Sequence, residues 1–197
     1  MELQATNQTA VEIGEKLFRS RDYTAIPLAV LLLFAAEPTV PSATIGTLIV
    51  VLGEVLRIYG VSFLGSVSRT RSDSTGTQLV TIGPFAFLRN PIYTANLIIC
   101  FGMGTYGGVG WLLVLIMLGS IFQYYCIAKY EERLLLEKFG EDYQRYFERV
   151  PAWIPNKIPE FKDIQWPQSI LPALHDERRT LTAIVLGLLA LMLTSKH

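Results

Sequence analysis

Charge is scarce in this chain. Only 17% of its 197 residues are Asp, Glu, Lys or Arg, and the 17 basic residues are matched by 17 acidic ones. A soluble domain usually carries about a quarter charged residues. A formal net charge of zero argues against a nucleic-acid binder or any partner held by bulk charge. Cysteine and histidine are scarcer still, at two each. Cys100 and Cys126 lie inside apolar runs and read as small hydrophobes, and His175 and His197 stand alone near the C-terminus. No disulfide framework and no metal-ligand spacing follows from them, and no metal is expected. A Walker loop and a GxSxG elbow are both missing. The first 22 residues are polar and hold no apolar core segment, so no cleaved signal peptide is expected there.

Apolar residues, by contrast, make up 51% of the chain and are gathered into runs. Five segments stand out: 23–36, 43–64, 92–106, 109–128 and 180–194. The second is long enough to cross about 30 Å of hydrocarbon at about 1.5 Å per residue. Gly107 and Gly108 alone separate the third from the fourth, which favours a helical hairpin. The fold expected is an all-α integral membrane protein of about five transmembrane helices, forming one domain over residues 1–197. Residues 1–22 make an N-terminal arm and 180–194 the last span.

Alternating five helices brings the N-terminal arm, the 65–91 loop and the 129–179 region to one side. That side collects 15 of the 17 basic residues, leaving only Arg57 within a span and Lys196 opposite. The positive-inside rule makes it cytoplasmic. Both outer connections are tiny, so a site open to soluble ligands has to be built from the 65–91 loop and the 129–172 region. Val11 to Arg21 mixes apolar and charged residues and reads as an interfacial helix. An amphipathic helix is expected to continue the fourth span to a break at Gly140. Five of the ten prolines then fall between Pro151 and Pro172, which forbids one continuous helix there.

Two stretches carry chemistry. In Gln78-Leu-Val-Thr-Ile-Gly-Pro-Phe-Ala-Phe-Leu-Arg-Asn-Pro-Ile-Tyr93, Gly83-Pro84 marks a turn and Asn90-Pro91 a helix start, with Asn90 as N-cap. The free N–H groups of such a start, with Arg89 beside them, suit an anion; a capped transmembrane helix with an interfacial arginine explains the same residues. The second stretch is Glu131-Glu132 at the end of the fourth run. Paired carboxylates there suit a cationic group, or are ordinary solvated charges near Arg133 and Lys138. Arg57, costly at membrane depth, should face a cavity or a partner, or pair with Glu54 one turn earlier.

Taken together, the ordered blocks LV-x-x-GPF-x-F-x-RNP-x-Y and EE-x-x-L-x-x-x-FG-x-x-Y-x-x-Y-x-x-x-VP, flanking an apolar hairpin, resemble the isoprenylcysteine carboxyl methyltransferase family. The phospholipid N-methyltransferases share this core. The resemblance covers about residues 50–155, with Gly53, Leu56-Arg57 and Leu64-Gly65 also in place. It departs at Asn90, where the family usually has histidine. It implies a membrane enzyme using S-adenosylmethionine, with S-adenosylhomocysteine as product. Thr77, Gln78, Leu79 and Val80 would form an extended wall against the adenosine, with Phe85 packed on the cofactor. Arg89, Asn90, Pro91, Ile92 and Tyr93 would lie near its methionyl and ribose groups. Glu131 would bind the α-ammonium, with Glu132 the weaker candidate. Tyr143, Tyr146 and Trp153 would close the pocket or pack the core.

The resemblance assigns no catalytic residue, because displacement at a sulfonium needs chiefly alignment and exclusion of water. It also implies a lipidated or lipid-like substrate entering from the bilayer among membrane lipids, while the cofactor enters from the cytoplasm. Prenylcysteine enzymes hold the substrate carboxylate with an arginine at the place of Ile127, so Arg57 and Arg149 are the substrate-binding candidates here. Carboxyl O-methylation of a lipidated cysteine or analogue is the leading reading. A lipid amine N-methyltransferase, an NADPH-dependent sterol-reductase-like enzyme and a non-catalytic scaffold are the alternatives.

Overall fold

A computed structural model describes residues 8–24, 26–64, 78–156, 164–167 and 169–194. Seven α-helices account for most of them, and no strand occurs among the described residues. They are α1 (Gln8–Thr24), α2 (Ile26–Ala35), α3 (Val40–Leu64), α4 (Pro91–Tyr106), α5 (Gly110–Phe139), α6 (Glu141–Arg149) and α7 (Leu171–Thr194). One 3-10 turn, Gly83–Ala86, precedes α4. Helices thus occupy all five apolar segments. By length and hydropathy α3 and α5 are each able to cross a bilayer.

Helix α3 packs most extensively on α4, and the sequence shows how. Gly46, Gly53 and Gly60 recur every seven residues, two helical turns apart, and so share one face. A methyl group at Gly46 would meet the Tyr106 backbone, and one at Gly53 or Gly60 would meet Ile99 or Ile92. Small residues let two helix backbones approach closely, which is how helices associate where burial of apolar surface supplies little drive. Elsewhere the bundle is tied at two levels along α5. Near its start, Leu112 and Ile116 pack with Leu32, Tyr106 and Leu191. Further along, Ile127 and Tyr130 pack with Phe18 of α1.

The outer faces remain apolar. Leu48, Val51, Leu52 and Val55 of α3 are exposed, as are Val114, Leu118, Ile121 and Phe122 of α5 and Val185, Leu186 and Leu189 of α7. So many exposed large apolar side chains are unusual for a water-soluble surface, and with two helices able to cross a bilayer they mark the protein as membrane-associated.

Three local expectations change. The last helix begins at Leu171 rather than near Thr180, taking in the charged run 175–179. Pro172 is tolerated because it sits in the first turn, where its missing N–H has no partner to lose. Glu177 within that run is 4% exposed and meets Arg57 of α3, so the charges do not exclude helix. At α4, Asn90 holds the N-cap position but makes no side-chain cap. Its amide donates instead to the Ala152 carbonyl, 3.4 Å away. Finally, α1 is a packed element as well as an amphipathic one. Ala10, Gly14 and Phe18 recur at helical spacing and are buried, with Gly14 lying directly on the Cys126 backbone. The break after α5 falls at Gly140, whose φ of +52° favours glycine.

Candidate functional site

Helix α5 carries both neighbouring carboxylates past the bundle on two different faces. Glu132 is 6% exposed and neutralised on both sides. Its Oε1 lies 3.0 Å from Arg89 Nη2 and its Oε2 lies 3.0 Å from Lys129 Nζ. Arg89 is fixed further by donating to the Phe147 carbonyl at 2.6 Å, and its guanidinium stacks 3.6 Å over the Phe147 ring. The Arg89 Nε is buried with no hydrogen-bond partner among the described residues. A donor in that state favours an incoming acceptor, because leaving it unmade costs about 1–3 kcal/mol.

Glu131 is placed differently. The Tyr93 hydroxyl of α4 is within hydrogen-bonding reach of its carboxylate. Among the described residues it enters no ion pair. Tyr93 in turn stacks on Tyr124 at 5.4 Å, and Asn96 is within reach of the Tyr124 hydroxyl. The RNP-x-Y and EE blocks thus lie against each other at two places, Arg89 with Glu132 and Tyr93 with Glu131.

The segment before α4 is held from above. Arg89 N donates to the Pro151 carbonyl at 2.8 Å and Asn90 N to Ala152 at 3.3 Å. The Tyr146 hydroxyl donates to the Phe85 carbonyl at 2.8 Å. Tyr143 and Tyr146 are both buried, and burial pushes both phenols well above the usual tyrosine range, so they remain neutral donors. The Tyr146 hydrogen bond ties α6 to this segment.

The remaining anticipated residues divide as follows. Gln78 is exposed, Leu79 and Val80 are half-buried, and residues 79–81 adopt no regular element. Thr77 lies outside the described residues. Phe85 is 8% exposed and turned into the protein. Ile92 packs against Gly60 on α3, away from Glu131. Pro91 lines an apolar cleft of about 250 Å³ between α3, the 3-10 turn and α4, with Leu56, Tyr59, Phe87, Leu88 and Thr94. Trp153 is half-buried.

The two candidate substrate arginines are engaged elsewhere. Arg57 grips Glu54 through two hydrogen bonds of 2.9 and 2.7 Å, and its Nη1 lies 2.6 Å from Glu177. The pairing with Glu54 is the alternative its spacing allowed. Arg149 is exposed and donates to the Arg145 carbonyl. Ile127 is 0% exposed beneath Phe18.

Sequence reasoning passed over Lys129, Phe147, Tyr124 and Asn96 as site components. Only Asn96 carried any signal, as a polar residue inside an apolar run.

Two curated proteins are similar to the chain. Nickel-cobalt-cadmium resistance protein NccN of Alcaligenes xylosoxydans xylosoxydans is 29% identical over 112 residues, which is 57% of this chain and 49% of that protein. Cobalt-zinc-cadmium resistance protein CzcN of Cupriavidus metallidurans is 30% identical over 112 residues, 57% of this chain and 48% of that protein. The chain thus spans about half the length of the curated relatives it matches. No solved structure matches it. Residues 41–142, just over half of the chain, match the phospholipid methyltransferase family and contain Arg89, Tyr93, Glu131 and Glu132, so the chain belongs to that family.

Proposed function

We propose that the protein is a membrane methyltransferase that uses S-adenosylmethionine to methylate the polar end of a lipid-like acceptor. Family membership supplies the reaction class. The observation that carries the site is the unequal treatment of two adjacent carboxylates. Glu132 is neutralised by Arg89 and Lys129, while Glu131, beside Tyr93, enters no ion pair among the described residues. An unpaired half-buried carboxylate suits the α-ammonium of the cofactor, and the orphaned Arg89 Nε suits one of its acceptor oxygens. The residues present therefore fit the group. When bound, the cofactor supplies a methyl group on a sulfonium, already activated for displacement.

The chain's own part is to bind, orient and keep water out. Tyr93 aims the Glu131 carboxylate, and Glu132 and Phe147 fix the Arg89 plane. The apolar cleft beside Pro91 offers a place for an acyl or prenyl chain, open between α3 and α4. Carboxyl O-methylation is the favoured reaction. A carboxylate is ionised at neutral pH and needs no base, whereas an ammonium must first lose a proton. Five spans with the site on the cytoplasmic face complete the reading, supported by the side that gathers 15 of the 17 basic residues.

The test uses purified protein in detergent. S-adenosylhomocysteine should raise the melting temperature and NADPH should not. Stabilisation by NADPH alone would overturn the reading. Membranes containing the protein and methyl-labelled S-adenosylmethionine should then yield a labelled lipid-soluble product. Release of that label by mild base marks an ester; retention assigns an amine acceptor instead.

A further inference from the structure

Helix α1 lies outside the family-matched residues, yet it delivers a cation to the same site. Phe18 is buried against Ile127 and Tyr130 of α5, its ring 5.7 Å from that of Tyr130. One turn on, the Arg21 guanidinium sits 4.4 Å over the Phe18 ring. Tyr93 and Tyr124 pack against the same cluster from the side of α4 and α5. This seat brings Arg21 within electrostatic reach of Glu131, Tyr93 and Tyr124. Even so, Arg21 and Glu131 form no ion pair with each other, and among the described residues Arg21 forms none at all. It is half-buried, so one side remains open.

A guanidinium and a carboxylate that lie within electrostatic reach of each other yet form no ion pair match a ligand carrying both charges. The α-amino acid group is such a ligand, with an ammonium and a carboxylate one carbon apart. Three other cations near the site already have partners, with Arg89 keeping only its Nε open. Arg89 is held by Glu132, by the Phe147 carbonyl and by the Phe147 ring, and Lys129 is paired with Glu132. Arg57 is held by Glu54 and Glu177.

We propose that Arg21 grips the α-carboxylate of the cofactor's methionyl group while Glu131 takes its α-ammonium, so that α1 forms part of the cofactor site. This rests on the methyltransferase reading above. It makes the N-terminal helix a component of binding as well as of packing.

Calorimetric titration of the full chain in detergent tests it with two ligands. One is S-adenosylhomocysteine; the other is its decarboxylated analogue, S-adenosyl-3-thiopropylamine, which keeps the ammonium and lacks the carboxylate. The wild-type protein should bind the first about 10–100-fold more tightly, the scale of one charge-assisted contact. Arg21→Ala should weaken the first ligand to near the level of the analogue and leave the analogue unchanged. Arg21→Lys should restore most of the difference. Equal wild-type affinity for the two ligands overturns the proposal without any variant, whether or not Arg21→Ala folds. Equal weakening of both ligands by Arg21→Ala also overturns it, by showing a structural role. Wild-type protein that binds neither ligand overturns the methyltransferase reading itself, a result separable from tight binding that ignores the carboxylate.

Discussion

Glu131 and Glu132 are adjacent on α5 yet point to different partners, because one residue of α-helix rotates the side chain by about 100°. Glu132 meets Arg89 and Lys129, while Glu131 meets the Tyr93 hydroxyl. The two should respond oppositely to the same change. Glu132→Gln leaves a buried guanidinium without its counter-charge, a loss of about 3–5 kcal/mol for a buried pair. Its melting temperature should fall by many degrees. Glu131→Gln removes a carboxylate that enters no ion pair among the described residues, so stability should hold. Its affinity for S-adenosylhomocysteine should fall several-fold to about a hundredfold. Scanning fluorimetry and calorimetry on both variants check this, and the reverse pattern would show the roles exchanged.

Arg57, Glu54 and Glu177 form a second buried charge cluster, joining α3 to α7. All three are under 8% exposed. Two carboxylates share one guanidinium, so the arginine is the irreplaceable member. Arg57→Met should strand two buried carboxylates and be the most destabilising single change at this site, with poor yield in detergent. Glu177→Gln leaves the Arg57–Glu54 pair whole and should cost clearly less. Melting temperatures of the two variants decide it; a Glu177→Gln loss as large as that of Arg57→Met would refute the ranking.

That cluster also shows where the sequence was legible and where it was not. The apolar runs at 43–64 and 109–128 located α3 and α5, since length and hydropathy are properties of one segment. The Glu54–Arg57 pairing was likewise visible, because i and i+3 lie on one helix face. Glu177 was not, because its partner is 120 residues away and the charged run 175–179 lies before the apolar segment at 180–194. The RNP-x-Y and EE blocks pointed to a meeting of α4 with α5. Which glutamate met which residue depended on helix phase and on Lys129, whose contribution is purely spatial. Arg21 illustrates the same limit. Nothing local distinguishes it from Arg19, yet burial of Phe18 carries it to Glu131 while Arg19 pairs with Glu15 at the surface.

Occupation of the cleft should separate acceptor binding from cofactor binding. Leu56 stands on its α3 wall and is 40% exposed, so a larger side chain can be added there without entering the α3–α4 seam. Leu56→Trp should fill much of the roughly 250 Å³ and raise KM for a long-chain acceptor by about tenfold, the scale of losing one or two methylene contacts in an apolar pocket. Affinity for S-adenosylhomocysteine should not move. Unchanged KM with intact folding would place the acyl chain elsewhere.

Docking of α1 depends on a contact that only glycine permits. Gly14 lies against the Cys126 carbonyl, and a side chain there would overlap that backbone oxygen, which cannot step aside. Gly14→Val should therefore lift α1 from α5 and expose Phe18. The change should leave α3 to α5 assembled, since their contacts with one another do not involve α1. The expected signature is rapid cleavage within residues 8–24 by a soluble protease, with the remaining fragment resistant and still embedded in detergent. Because Arg21 travels with α1, the same variant should lose the preference for S-adenosylhomocysteine over its decarboxylated analogue. Cleavage as slow as in the wild-type protein would show that the helix tolerates the side chain, and the close approach would then not be what seats it.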